Sequence, residues 1–244
     1  MDISLQLYSI KEEARENFPH ALELAAKAGY QGVEFAGYFG NTQAQMKELL
    51  KKYNLKAVST HLGIPRLKEA LDEEIEYAVQ VGYKLLVCPF LKGDTKEAYI
   101  EGAQFLEQCA QKAAKAGLTF GYHNHAHEFI KYDGKYAQDI ILENAPSLKF
   151  EPDLFWVAVG GADPAAYIEP LEKAGRICAI HAKELGQGEE NVYIGQGRID
   201  FKTIAGICPP SKYPWIIEQE EFSSDHYDGI SKSYAGLRKV FDSL

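Results

Sequence analysis

Three segments of the chain repeat nearly the same words: Ala25-Ala26-Lys27-Ala28-Gly29-Tyr30, Ala113-Ala114-Lys115-Ala116-Gly117-Leu118 and Leu171-Glu172-Lys173-Ala174-Gly175-Arg176. In each, a glycine closes a helix-like run and opens a strand-like one. Before Gly29 the apolar residues Phe18, Ala21, Leu22, Ala25 and Ala28 follow helical spacing. A glycine just past such a run suits a left-handed helix cap. Gly29, Gly117 and Gly175 lie 88 and 58 residues apart, close to three and two units of ~29 residues, a length that holds one strand and one helix.

The remaining units follow from that period. Strand-like runs are Ile3–Tyr8, Gly32–Phe35, Lys56–Thr60, Lys84–Pro89, Thr119–His123, Leu148–Asp153, Ile177–His181 and Trp215–Gln219. Helix-like stretches lie near 15–28, 42–53, 67–81, 96–116, 135–144, 163–174, 200–206 and 227–242. Leu85-Leu86-Val87 and Trp215-Ile216-Ile217 are apolar on both faces, as buried parallel strands are. Eight βα units in 244 residues predict an α/β fold, a (β/α)8 barrel occupying 1–244 as a single domain. A doubly wound sheet usually needs fewer units, and no Gly-rich phosphate loop follows the first strand.

Composition narrows the partners. With 26 basic against 35 acidic residues the net charge is −9, which disfavours nucleic acid. No apolar stretch approaches the ~20 residues of a membrane helix, and the N-terminus shows no signal-peptide pattern. The four cysteines (Cys88, Cys109, Cys178 and Cys208) include no Cys-x-x-Cys pair, so reduced thiols packed as small apolar groups and a cytoplasmic location are the expectation.

The position of the reactive side chains says most about function. Of seven histidines, His61, His123, His125, His127 and His181 fall at or just past the C-terminal end of a strand-like run. Glu34, Glu128, Asp153, Glu218 and Glu220 join them. In a barrel all these ends open on one face, the face that carries chemistry. Asp153, His181 and Glu218 end three successive strands. One His with several carboxylates and no clustered Cys suits a divalent cation: manganese first, with magnesium, cobalt or zinc as alternatives. Such an ion would polarise a carbonyl and steady an enediolate.

In order along the chain, Leu5-Gln6-Leu7-Tyr8-Ser9, Gly32-Val33-Glu34-Phe35, Ser59-Thr60-His61-Leu62-Gly63, Gly121-Tyr122-His123-Asn124-His125 with Glu128-Phe129, Asp153-Leu154-Phe155-Trp156-Val157, His181-Ala182-Lys183-Glu184, Gly195-Gln196-Gly197 and Glu218-Gln219-Glu220 resemble the xylose isomerase-like barrels. That superfamily includes sugar phosphate isomerases and epimerases, inosose dehydratases and the AP endonuclease family 2 fold. The resemblance covers nearly the whole chain. It implies a metal held by Glu, Asp, His and Glu from strands five to eight. Asp153, His181 and Glu218 match directly. Strand five departs from the usual pattern: His123 stands where many relatives carry Glu. Glu128 is therefore taken as the fourth ligand, with His123 as substitute ligand or base.

Glu128, Glu218, His123 and Lys183 form the candidate catalytic set, Lys183 to hold a developing oxyanion. Gln6, Glu34, His61, His125, Trp156 and Glu220 are the candidate substrate contacts. Gly195-Gln196-Gly197 lacks the nucleotide fingerprints and is expected to be a flexible loop. The function implied is an isomerase or epimerase acting on a small keto-sugar or related polyol carbonyl. The alternative is a lyase or dehydratase acting on a keto-sugar or cyclitol. Two remote alternatives are an endonuclease IV-like nuclease, which the net charge opposes, and a non-catalytic sugar-binding subunit. Barrels of this type often pair as homo-oligomers, though no residue here specifies one. The loops expected to close the site are 124–134 and 182–199.

Overall fold

In the computed structural model, which describes residues 1–244, eight parallel strands form the expected barrel. They are β1 (Ser4–Gln6), β2 (Gly32–Phe35), β3 (Lys56–His61), β4 (Leu85–Cys88), β5 (Thr119–His123), β6 (Lys149–Glu151), β7 (Ile180–Ala182) and β8 (Trp215–Ile217). They pair consecutively from β1 to β6, and β8 joins β7 to β1. The ring closes between β6 and β7 through single bridges, Phe150 to Ile177 and Asp153 to His181. That seam is sparse because Pro152 has no N–H to donate to the ladder. Its carbonyl still accepts from His181 N at 2.9 Å.

The repeated glycines act as caps. Gly29, Gly117 and Gly175 adopt φ of 102°, 74° and 65°, the left-handed region where a Cβ is penalised. An alanine side chain at Gly117 would meet nothing within 4 Å. Gly117→Ala should therefore cost only the backbone term, about 1–2 kcal/mol, and lower Tm by roughly 2–8 °C, measurable by calorimetry.

Element ends differ from expectation where a side chain competes with the backbone. The helix-like stretch near 15–28 is two helices, Lys11–Glu16 and Phe18–Lys27. Asn17 breaks them by accepting His20 N at 3.2 Å as the second helix's cap. The strand at Ile3–Tyr8 stops at Gln6, whose Oε1 accepts Tyr8 N at 2.9 Å and turns the chain into a 3-10 helix. After β6, Asp153 caps a short unexpected helix, Leu154–Val159, by accepting Trp156 N at 2.9 Å. The Gly195-Gln196-Gly197 segment is pinned. Buried Glu184 accepts Gly195 N at 3.1 Å and Ile199 N at 2.9 Å, and a Cβ on Gly197 would lie 2.2 Å from Leu185 O.

Outward residues such as Leu5, Val33, Phe35, Phe120, Phe150 and Ile217 form the main core with the helices. Inside the barrel the lower end is plugged by Leu85, Val87, Ala179 and Ile216, with Val58 and Cys178 against them. The half above that plug is polar. All four cysteines are free thiols, and no helix is long and apolar enough to cross a membrane.

Candidate metal centre

Two layers of polar side chains fill the upper barrel. The lower layer comes from β1, β2, β3 and β6. Glu34 is fully buried and takes hydrogen bonds from Gln6 Nε2 at 2.6 Å and Ser59 Oγ at 2.6 Å. His61 Nε2 lies 3.1 Å from Glu34 Oε2 and 3.0 Å from Glu151 Oε2. Burial opposes charge on His61, but the two carboxylates outweigh it and push its pKa up to about 10. Glu151 shares a strand face with Asp153 and points into the same cavity. Burial, reinforced by the Glu34 charge, pushes its pKa up to about 7.

The upper layer is His123, Asp153, His181 and Glu218, all buried, with one donor atom from each lying within 4.8 Å of every other. His181 Nδ1 is 3.2 Å from Glu218 Oε2, and its Nε2 is 2.6 Å from Glu34 Oε2 and 3.2 Å from Glu151 Oε2. His123 Nε2 lies 4.0 Å from Asp153 Oδ2. Asp153 spends one oxygen capping its helix, while Oδ2 is buried without a partner. Asn124 fixes the Asp153 backbone through Oδ1, 2.9 Å from Asp153 N. Two carboxylates and two imidazoles with an unpartnered buried oxygen fit a divalent cation and would balance its charge. A second four-residue group, His61, His123, Glu151 and His181, shares both inner histidines with the first.

Burial, with the Glu218 charge adding to it, raises Asp153 to about 7 in the ion-free protein. Burial opposes charge on His181, but the Glu151 and Glu34 carboxylates hold its pKa well above the ordinary histidine value. A divalent cation binding here would displace a proton from both residues, so its affinity should fall by at least about tenfold per pH unit below pH 7. Titration calorimetry between pH 5.5 and 8 checks this. The sign reverses for ion-free stability. A carboxylate raised in the fold stabilises it below its unfolded pKa, and that contribution is lost as pH rises towards 7.

At the rim, buried Lys183 lies 3.0 Å from Glu220 Oε2, with Nζ 4.8 Å from the Trp156 ring and 5.1 Å from that of Phe155. Burial opposes its charge, but Glu218, Asp153 and Glu220 hold its pKa above the ordinary lysine range. His125 leans on Trp156, ring centroids 5.4 Å apart, and burial holds its pKa below the ordinary histidine value. Tyr8 is 41% exposed, with Lys11 over its ring.

Asp153, His181, Glu218 and His123 thus converge as a group. Lys183, Glu220, Trp156 and His125 stand around it. Glu128 belongs to neither four-residue group. Its oxygens are held by Tyr122 Oη, by His125 N at 2.8 Å and by His127 Nε2 at 3.0 Å, which ties down the 125–128 turn. Gln6 and Glu34 lie in the lower layer with protein partners instead of at the mouth, and His61 is bound to their network. Glu151, Ser59 and Asn124 were absent from the expected set. For Glu151 the signal was available: it sits two residues before Asp153 on the same strand face.

A family model described as xylose isomerase-like TIM barrel matches residues 22–240. The chain belongs to that family. A sugar phosphate isomerase/epimerase from Parabacteroides distasonis superposes with a TM-score of 0.84 at 24% identity, covering 97% of this chain and 93% of that one. The probable 3-DHS dehydratase AsbF of Bacillus anthracis gives 0.76 at 15%, covering 98% and 99%. IolI, whose structure holds a zinc atom, gives 0.77 at 14%, covering 100% and 99%. Among curated proteins no sequence match is found. At these identities the structural likeness establishes the barrel.

Proposed function

We propose that this barrel is a divalent-metal-dependent enzyme that removes a proton next to the carbonyl of a small keto-sugar or cyclitol ketone and returns it to give an isomer or epimer. The observation carrying this is the buried group His123, Asp153, His181 and Glu218, with Asp153 Oδ2 unpartnered and the Lys183 ammonium beside it. These four residues would hold the ion. When bound, a divalent cation supplies Lewis-acid polarisation and charge to offset an enediolate.

The chain's own residues do the rest. Lys183 keeps a positive charge within the rim and is suited to balance negative charge growing on a substrate oxygen. The Trp156 indole Nε1 is buried without a partner, a donor for a hydroxyl, while its ring offers a face to a sugar. His125 is neutral at pH 7 by virtue of its lowered pKa, so it can accept the proton next to the carbonyl and return it. Delivering that proton to a departing β-substituent would make the enzyme a lyase. The likeness to a probable dehydratase supports keeping that second outcome.

The test is a panel of ketoses, inososes and 3-keto-glycosides offered to the manganese-loaded protein in deuterated water and followed by NMR. Deuterium on the carbon next to the carbonyl with an isomerised product supports the first reading. An unsaturated product lacking the β-substituent, with or without deuterium, supports the lyase. The absence of both exchange and an unsaturated product with every member overturns both.

A further inference from the structure

The two four-residue groups present a choice, because His123 and His181 belong to both. A neutral imidazole carries one lone pair and one N–H, so neither ring can serve two ions at once. We infer that Glu34, assisted by Glu151, acts as a positioning residue that makes the choice: it keeps the proton of His181 on Nε2, turns the Nδ1 lone pair to the mouth, and so restricts the protein to one ion. This rests on the proposed metal centre and extends it downward.

Geometry supports the assignment at each step. Glu34 Oε2 sits 2.6 Å from His181 Nε2, a short distance typical of a charge-assisted bond. Glu34 cannot swing away, because Ser59 holds Oε1 and Gln6 holds Oε2, both at 2.6 Å and all three residues fully buried. With Gln6 and Ser59 both donating to it, Glu34 is left to accept from His181 Nε2. The opposite nitrogen, Nδ1, faces Glu218 at 3.2 Å, inside the upper group. His123 offers Nε2 towards Asp153, but its Nδ1, 3.5 Å from Glu151 Oε2, has no hydrogen-bond partner, so of the two rings only that of His181 is fixed by a carboxylate. Carboxylates behind ligating histidines set tautomer and ring orientation in this way, and their loss weakens binding by about 10–100-fold.

In histidine ring 15N spectra of the zinc-loaded protein, the His181 ring should be bound through Nδ1 with Nε2 protonated, its signals assigned by their loss in His181→Ala. Elemental analysis should give one zinc per chain at saturation. Glu34→Gln keeps the shape and loses the charge, and should weaken zinc binding 10–100-fold by calorimetry. Glu34→Asp keeps the charge and should recover part of that loss. Near-ultraviolet circular dichroism establishes that each variant is folded, and the wild-type spectra carry the test should a variant not fold. Two zinc ions per chain, a His181 ring bound through Nε2, no zinc uptake, or unchanged affinity in folded Glu34→Gln would overturn the inference. A protein that passes these tests yet exchanges no deuterium into any keto-sugar would leave it standing and overturn only the proposed activity.

Discussion

Replacing Asp153 by asparagine should release the ion and abolish turnover while leaving the barrel folded. Asp153 has two separable duties. Oδ1 caps the helix Leu154–Val159, a duty asparagine performs equally well. The buried, unpartnered Oδ2 is the one aimed at the metal group, and an amide replaces its charge poorly. Metal affinity should fall by roughly 100-fold or more. Rate should fall by about 10³-fold or more, the equivalent of losing several kcal/mol of Lewis-acid stabilisation. His181→Ala should behave similarly and should also strand Glu34 and Glu218 without their shared imidazole, so its Tm should drop where that of Asp153→Asn should not. Metal analysis, steady-state kinetics and calorimetry on the two variants separate these outcomes.

Lys183→Met is expected to split activity from metal binding. The ammonium stands beside the carboxylates of Asp153, Glu218 and Glu220, and removing one preorganised charge donor of this kind costs about 10²–10³ in kcat. The same substitution removes a cation that repels the incoming ion, so metal affinity should hold or rise. A lysine serving only to pair with Glu220 would give a different result, a stability loss with kcat intact.

The barrel was legible because a period of one strand and one helix leaves few other architectures, and the glycines closing three of the units need the left-handed conformation they adopt. The mouth was legible because parallel strands of a barrel all end on one face. Depth was less legible. Alternation along a strand tells which face a side chain takes but not how far down the axis it sits, since that depends on the stagger between strands. Gln6 and Glu34 therefore read as substrate contacts but are fully buried and bonded to protein, while His61, whose side chain keeps 11% exposure, bonds to the same network. Glu128 stands outside both four-residue groups for another reason. It lies in a loop, where a 3-10 turn carries its carboxylate back onto Tyr122 and His125 N, and no periodicity announces that. Pro152 shortened β6 and let Asp153 begin a helix, which explains how one residue both ends a strand and offers a free oxygen.

The most direct measurement compares one protein in two states. The chain is stripped with a chelator, then reloaded with manganese, and solvent deuterium exchange into an accepted keto-sugar is followed in both. The account predicts negligible exchange in the stripped protein and full recovery at one manganese per chain. Undiminished exchange after complete removal of the ion would contradict it.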